Sequence, residues 1–514
     1  MTSDADSVLS IGNTVTLSEY ASNPFIASLR PPEDLPTTIN RLYRPITISA
    51  AERDLPPHLR RHCVLRIKDW FLPAAQHTVV DERVDMLIRR GYLARNPADG
   101  TFARRLSSVA DAIEAGVAFN NVMPMAQSTA DSFALLGTPG MGKTRLMGRI
   151  LRSYDQVIEH SGDLNLKQIV WLEAECPTNG SLGQLCKNIL AALDQALGRR
   201  KYARVGRLNV EDMLLHVAQA LQLHAVGVLA IDEINFLNAA RTDKDRVVNF
   251  LTSLVNVFSV PVLFVGTFAG EGVMTGNLRN ARRGSGLGSM VFEPYDLDGA
   301  WRTFSRKLFR YQWLSAPTPW NENLSKALWQ ESRGILDVAV KMFMLAQLRL
   351  IRSYEVDGSE EVISPALFSN ISTTDLRLVQ PMLDALREGS IEALIRYGDL
   401  RPVTRLASSS MAAYGLDLRT AKIETMLDAA EPAPEQAFDD ALGALGIAGV
   451  DAAALIKELR NRSYAPAAPA TREADRLGEP QADDDARRIL KDGRAHGLSG
   501  YQALKMAGMV GQGE

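Results

Sequence analysis

One short segment of the chain has the residue types and spacing of a polyphosphate-binding loop. Residues 137–144 fit the pattern Gly-x-x-x-x-Gly-Lys-[Ser/Thr] between an apolar strand pattern and a helical one. Its glycines permit backbone N–H groups to converge on phosphates at a helix N-terminus, where Lys143 reaches the terminal phosphates and Thr144 is a ligand for Mg²⁺. This pattern predicts a nucleoside triphosphate site, and a glycine-rich turn without ligand is the alternative. The predicted contact residues are Gly137, Thr138, Pro139, Gly140, Met141, Gly142, Lys143, Thr144 and Arg145.

Two acidic residues end another apolar segment, VGVLAIDE at 226–233. Ligands of α/β sheets bind at the carboxyl ends of the strands, which is where this segment places both acids. Asp232 is predicted to hold Mg²⁺ directly or through water, and Glu233 to orient and polarise the attacking water. The alternative is an acid pair that stabilises the N-terminus of the following helix.

Three further residues are candidates for the same chemistry. Thr267 ends the next apolar segment, and its side chain is predicted to contact the water or the terminal phosphate, unless it is only a turn residue. Arg282 and Arg283 precede the last apolar segment. One of them could reach the nucleotide of a neighbouring subunit and stabilise charge in the transition state. A structural salt bridge or a DNA-phosphate contact is an equally open role for these arginines.

Five short apolar segments must position these side chains. They alternate with longer helical patterns, and near-continuous apolar strands separated by helices predict an α/β fold with a parallel five-stranded sheet and helices on both faces. The segments are 132–137, 169–173, 226–233, 260–267 and 289–293.

Composition shifts divide the rest of the chain. The predicted order is an N-terminal arm with several prolines (1–40), a mainly helical basic domain (41–125), the α/β core (126–295), a helical lid and extension (296–410), a flexible Ala/Pro-rich linker (411–484) and a partner-binding segment (485–514). In the lid, residues 334–351 place five apolar side chains on one helical face: Leu336, Val340, Phe343, Met344 and Leu348.

Charge and composition restrict the function classes. Apolar residues make up 46% and charged residues 23%, no apolar segment approaches the roughly 18 residues of a membrane span, and three scattered cysteines argue against a disulfide framework. We therefore expect a cytoplasmic protein without membrane contact.

The net charge of −3 gives the protein as a whole no attraction to nucleic acid. Any contact with nucleic acid would therefore depend on a local group of basic residues. Residues 41–105 hold thirteen Lys and Arg against seven Asp and Glu, which predicts either a positive surface or a solvated face balanced elsewhere. The loop 198–207 is a candidate for contact with a phosphate backbone, and a solvated loop is the alternative. Its basic residues are Arg199, Arg200, Lys201, Arg204 and Arg207.

Taken together, the two nucleotide motifs, Thr267 and the arginines before VFEPY (291–295) resemble AAA+ ATPases of the initiator and transposition-regulator group. Several shorter segments are similar to the TnsC family, the AAA+ regulators of Tn-seven-type transposons, and the likeness covers roughly residues 18–402. These segments are NPFIASL (23–29), HCVLRIKDWFLP (62–73), GYLARNP (91–97), CPTNGSL (176–182), the strand that ends at Asp232, LRNARRGSGLG (278–288) and residues 380–399.

The resemblance implies an AAA+ fold and an ATPase that uses ATP and Mg²⁺, with catalytic roles for Lys143, Thr144, Asp232 and Glu233 and a role in trans for Arg282 or Arg283. It also implies a bacterial homo-oligomer, ring or filament, on duplex DNA of any sequence. Such a protein receives a signal from a target selector and activates transposase subunits through its C-terminal segment.

The lid departs from the pattern of many AAA+ proteins. After Gly334 the position of the usual lid arginine is Asp337, and Lys341 follows one turn later. Lys341 could substitute, or the lid does not contact the γ-phosphate.

Two other functions share the ATPase core. A replication initiator or helicase loader would be favoured by a C-terminal base-reading domain, and residues after 411 show no persuasive helix-turn-helix. A signalling ATPase without nucleic acid would be favoured by appended repeats, and none is evident.

Overall fold

The computed structural model describes residues 8–11, 14–123, 128–162, 164–203, 208–239, 243–270, 287–388 and 419–427 without 421 and 424. The chain forms two units, 1–456 and 457–514, and only the first contains described residues. Predicted sites at Arg204, Arg207, Arg282 and Arg283 lie outside the described residues, as do the partner-binding segment and nearly all of the linker. None of the described helices is long and apolar enough to cross a membrane.

A parallel five-stranded sheet lies at the centre and confirms the predicted fold class. Its strands are β3 (Ser132–Gly137), β6 (Trp171–Glu175), β7 (Val228–Asp232), β8 (Val262–Val265) and β9 (Ser289–Phe292). Their order in the sheet is β6-β7-β8-β3-β9, so the first strand of the domain lies between the last two. Every residue of β3, β7 and β8 is buried, as expected of strands covered on both faces.

The segment 169–173 differs from the single strand that its apolar run predicts. Ile169 ends β5 (Leu166–Ile169), which pairs antiparallel with β4 (Val157–His160), and β6 begins two residues later. A continuous apolar run carries no signal for such a change of partner, because it does not show which backbone each half lies beside.

Helices cover both faces of this sheet. One face packs against α8 (Leu182–Ala196), α9 (Val210–Leu223) and α10 (Lys244–Asn256). The other packs against α7 (Lys143–Leu151) and the N-terminal α5 (Ala75–Leu93). A Cβ at Gly91 would lie 2.2 Å from Cγ of Pro261, so only glycine permits this close approach of α5.

The N-terminal part is mainly helical after a short hairpin, and it shares the core of that second face. Asn23 ties the arm to α5: its Oδ1 accepts from Phe25 N, and its Nδ2 donates to the carbonyl of Tyr92 at 2.8 Å. The elements are β1 (Val8–Ile11), β2 (Thr14–Leu17), α1 (Ser18–Ala21), α2 (Pro24–Ala27), α3 (Leu35–Leu42), α4 (Pro57–Val64) and α6 (Thr101–Glu114).

Much of the positive charge predicted for residues 41–105 is neutralised or buried. Arg60 is 1% exposed and pairs with Glu361 at 2.7 Å, and Arg41 pairs with Asp81 at 2.7 Å. Arg95 is fully buried and donates to the carbonyl oxygens of Gly91 and Val226. These arginines join elements of the fold, so the block is a weaker candidate for a positive surface than its composition indicates.

The lid consists of helices, and its longest one differs in detail from the predicted apolar face. In α13, Phe343 and Met344 are buried, whereas Leu336, Val340 and Leu348 are half-buried. The reason is that α13 packs against neighbours on two sides, while Leu336, Val340 and Met344 line a cavity. The lid helices are α11 (Gly299–Leu308), α12 (Glu322–Ser332), α13 (Leu336–Asp357), α14 (Pro365–Thr374) and α15 (Gln380–Glu388).

Candidate nucleotide-binding site

The glycine-rich segment forms the loop between β3 and α7. Gly137 cannot be replaced without displacing the sheet, because an added Cβ would lie 2.1 Å from the carbonyl oxygen of Phe292 in β9. Gly140 and Gly142 have φ values of 82° and 83°, which L-residues rarely adopt. The N–H of Thr138 donates to the Phe292 carbonyl at 2.9 Å. Sheet packing and backbone conformation thus both require glycines at the predicted positions.

Lys143 begins α7 and folds back over the loop. Its Nζ donates to the carbonyl oxygens of Gly137 at 2.9 Å and Thr138 at 3.0 Å, and the residue is 8% exposed. No side chain caps the N-terminus of α7 in the described part of the chain. The ammonium group and the helix N-terminus are therefore directed at the same place, which suits a polyanion.

Thr144 and Asp232 bring two hard oxygen ligands together. Oγ1 of Thr144 donates to Oδ2 of Asp232 at 2.8 Å, and Oδ1 of Asp232 accepts from the N–H of Glu233 at 2.8 Å. Among the described residues no three His, Cys, Asp or Glu side chains form a metal-binding cluster. One carboxylate and one hydroxyl fit Mg²⁺, which in nucleotide sites is held mainly by phosphates and water.

Glu233 is held in an unusual position beside these residues. Its φ is 55°, a left-handed conformation that costs a non-glycine residue about 1–3 kcal/mol and is enriched at functional sites. Oε2 of Glu233 accepts from Nδ2 of Asn235 at 3.1 Å, and Oδ1 of Asn235 accepts from the N–H of Thr267 at 3.2 Å. Asn235 thus connects Glu233 to Thr267. The sequence reasoning missed this residue, although its place two positions after the acid pair is a usable signal.

The lid touches the phosphate loop through Asp337. Its N–H donates to the carbonyl of Gly140 at 3.0 Å, and its carboxylate pairs with Lys341 at 2.5 Å. Both side chains line the same cavity as the phosphate loop. Lys341, the predicted substitute for a lid arginine, is thus placed at the cavity with Asp337 as its partner.

A cavity of about 1240 Å³ connects these groups. It is lined by residues 139–145, by Asp232, Glu233 and Thr267, and by the lid. Its remaining wall includes residues 70–77, where the segment HCVLRIKDWFLP ends. Sequence reasoning did not assign this N-terminal segment to the site. In the same wall, burial lowers the pKa of His77 to about 3, so the imidazole is neutral and its Nδ1 accepts from the N–H of Ala74.

The described residues of the basic loop after α8 do not line this cavity. Arg199, Arg200 and Lys201 are exposed, whereas Tyr202 is 4% exposed and its hydroxyl hydrogen-bonds to Nε2 of His224 at 2.9 Å. The carboxylate of Asp194 accepts from the N–H groups of Lys201, Tyr202 and Ala203 at 2.8–3.0 Å. Burial raises the pKa of Asp194, but these hydrogen bonds outweigh it and the pKa is lowered. The carboxylate of Asp194 therefore fixes the backbone of residues 201–203.

One comparison with known protein families agrees with this geometry. Residues 126–269 match the sequence model of the AAA domain family. No curated protein matches the sequence. Solved structures similar to the chain include a Walker-type ATPase of Pyrococcus abyssi, with 15% identity, 56% of this chain and 75% of that chain covered, and a TM-score of 0.34.

Two other solved structures are similar at the same level. The ORC1 protein of Aeropyrum pernix in complex with DNA has 16% identity, covers 56% of this chain and 67% of that chain, and has a TM-score of 0.33. Cdc6p of Pyrobaculum aerophilum has 13% identity, covers 63% and 93%, and has a TM-score of 0.33. TM-scores this low do not establish a shared fold over the whole chain. The family match shows that residues 126–269 form an AAA domain, and the geometry of its phosphate loop is that of a nucleotide-binding site.

Proposed function

We propose that this protein is an ATP-dependent regulator of DNA transposition that assembles as a homo-oligomer on duplex DNA. In this proposal it receives a signal from a target-selecting protein or complex, recruits and activates transposase subunits through residues 485–514, and hydrolyses ATP to disassemble. One observation carries it: the AAA phosphate loop faces a cavity whose other wall includes residues 70–73, the end of the segment HCVLRIKDWFLP (62–73) that is similar to the TnsC family.

The geometry supports phosphoryl transfer to water, in which positioning and charge stabilisation dominate. Lys143 and the N-terminus of α7 bind the phosphates, and Glu233 accepts a hydrogen bond from the attacking water. Mg²⁺, held by Thr144 and Asp232, would neutralise charge on the β- and γ-phosphates. Asn235 does not touch the nucleotide in this scheme, and it acts as a positioning residue through its hydrogen bond to Glu233.

Other segments similar to the TnsC family also lie in one packed core. Asn23 of NPFIASL donates to the carbonyl of Tyr92 of GYLARNP, and the rings of Phe25 and Tyr92 are 5.4 Å apart. This packing supports the view that these short similarities belong to one structural unit. The exposed Arg199, Arg200 and Lys201 support a contact with duplex DNA, because phosphate contacts position a protein without reading sequence.

Electron microscopy of the full-length protein with duplex DNA and a non-hydrolysable ATP analogue tests assembly. Rings or filaments on DNA that form only with nucleotide are expected, and their absence in every condition contradicts the proposal. A strand-transfer reaction with purified transposase and donor DNA then tests the function. Stimulation of strand transfer is expected. Assembly on DNA without stimulation, combined with loading of a replicative helicase, would favour the initiator function instead.

A further inference from the structure

A helical segment that follows the lid in sequence forms one side of the nucleotide cavity. Residues 419–427, called the strap, are described except for 421 and 424, and the described ones are helical. Thr420, Ile423 and Leu427 line the cavity, and their spacing places them on one helical face. Ile423 is 3% exposed and Leu427 is 2% exposed, so both side chains belong to the core. The composition of residues 411–484 predicts a flexible linker, but this part of it is packed.

One end of the strap is bonded to the lid. Nζ of Lys307 in α11 donates to the carbonyl oxygen of Leu427 at 3.3 Å, and Lys307 is 1% exposed. A buried ammonium group requires hydrogen-bond acceptors, because burial of an unpaired charge is costly, and the strap supplies one of them. Thr303 and Phe304 lie one turn before Lys307 in the same helix and line the cavity. This end of the strap is therefore joined to a wall of the cavity that the lid provides.

The other end of the strap is paired with the N-terminal part of the chain. Arg419 and Glu82 of α5 form an ion pair at 3.3 Å. The first turn of α5 provides another wall of the cavity, and the ring of His77 in that turn lies 5.4 Å from the ring of Phe292 in β9. The strap thus joins α5 to α11, which carry two walls of the same cavity.

We propose that the strap holds the lid against α5 over the nucleotide cavity and slows the entry and release of nucleotide. This inference rests on the proposed function only in taking a nucleotide to be bound at residues 137–144. The lid cannot move away from α5 unless the pair of Arg419 and Glu82 breaks or the apolar side chains of the strap leave the core. The second change exposes two apolar side chains to water, which is unfavourable in proportion to the area exposed. Movement of such a lid limits product release in many enzymes.

A strap that acts in this way has a kinetic signature. It closes the cavity whether or not a nucleotide is inside, so its loss increases the association and dissociation rate constants together and leaves the Kd nearly constant. Side chains that only contact the nucleotide behave differently, since their truncation raises the dissociation rate constant and the Kd by the same factor. The two rate constants therefore distinguish the strap from an ordinary binding residue.

Stopped-flow fluorescence with mant-ADP and Mg²⁺ measures both rate constants for the full-length protein, the second after a chase with excess ADP. Ile423→Ala combined with Leu427→Ala should raise both rate constants at least about tenfold, because two buried side chains lose their packing. The Kd should change about twofold or less. Ile371→Ala is the matched control, a buried side chain of α14 that does not line the cavity, and it should change both rate constants about twofold or less.

A charge reversal tests the strap without altering the core. Arg419→Glu places a second carboxylate beside Glu82, so both rate constants should rise about threefold, within the range for exposed ion pairs. Arg419→Glu combined with Glu82→Arg restores the pair and should return both rate constants to those of the unmodified protein. Arg352→Glu makes the same change of charge at an exposed position of α13 and should raise neither rate constant.

Unchanged rate constants in either strap variant would overturn the inference, and so would an equal rise in Ile371→Ala or a rise in dissociation alone. If the truncated protein does not fold, the charge reversal and its restoration decide the question by themselves. All of these results leave nucleotide binding, and hence the proposed function, standing. Failure of the unmodified protein to bind mant-ADP would instead contradict the proposed function.

Discussion

Removal of the three exposed cations of the loop after α8 should change how DNA binding depends on salt. Each phosphate contact releases counterions and contributes about −0.9 to the slope of log K against log salt concentration. If Arg199, Arg200 and Lys201 each contact a phosphate, their replacement by Ala makes the slope shallower by about 2.7. Between 50 and 200 mM salt this corresponds to about a 40-fold smaller loss of affinity.

A second variant separates the order of the loop from its charge. Asp194→Ala removes the acceptor of three backbone N–H groups but keeps all three cations. Ordering one backbone residue costs about 1–2 kcal/mol, so partial disorder of the loop should weaken DNA binding about tenfold. The slope should not change. Loss of a negative charge beside DNA would by itself strengthen binding, so weaker binding can be attributed to lost order.

The assay is fluorescence anisotropy of a labelled duplex with a non-hydrolysable ATP analogue over this salt range. A control variant removes three exposed cations of the lid, Arg302, Lys326 and Arg352, and should leave the slope unchanged. An unchanged slope in the loop variant would refute the assignment of this loop to DNA. Equal changes in both variants would show that only net charge matters.

Four further predictions concern the site, the fold and the C-terminal segment. Lys143→Ala should weaken ATP binding at least about tenfold in equilibrium titrations, since hydrogen bonds to charged groups contribute about 1.5–3 kcal/mol; normal binding would remove Lys143 from the site. Glu233→Gln should keep ATP binding but slow hydrolysis about 100-fold or more in a phosphate-release assay, and unchanged turnover would contradict its role. His77 has a folded pKa of about 3, below its ordinary 6.5, so its contribution to stability is complete above pH 6.5 and is lost as the pH falls toward 3. Thermal unfolding of His77→Gln should therefore depend less on pH in this window than that of the unmodified protein, and identical profiles would argue against a neutral buried imidazole. Deletion of residues 485–514 should leave ATPase activity intact and abolish transposase stimulation, whereas loss of ATP binding would show that the segment belongs to the nucleotide domain.

The sheet and the phosphate loop could be predicted because their signals are local. A buried parallel strand appears as a continuous apolar run, and the loop requires Gly137, Gly140 and Gly142 at fixed positions. The hairpin at 157–169 was not predictable in the same way, because a change of strand partner depends on which backbone lies alongside. Neither was the N-terminal wall of the cavity, since nothing between residues 70 and 77 in sequence indicates a neighbour in β9.

Among the sequence signals, local charge composition was the least reliable predictor, because it did not show which basic residues are exposed. Composition counts Arg60 and Arg95 as part of a positive surface, yet the fold buries both. Each has a partner far away along the chain: Glu361 lies 301 residues from Arg60, and Val226 lies 131 residues from Arg95. A sequence window cannot show such pairing. The loop at 199–201 keeps its charge exposed because Asp194, five residues before it, binds the backbone rather than the guanidinium groups.

The lid contacts the phosphate loop through its backbone, although it has no arginine at position 337. Position 337 carries an aspartate, but its N–H donates to the carbonyl of Gly140 in the phosphate loop. A Cβ at Gly140 would lie 2.9 Å from Cγ2 of Ile335, so the loop packs closely against the residue that precedes α13. We expect a displacement of the loop by bound phosphates to act on the start of α13, whose Val340 and Met344 line the same cavity. The lid thus has a route to the phosphates that does not depend on an arginine at position 337.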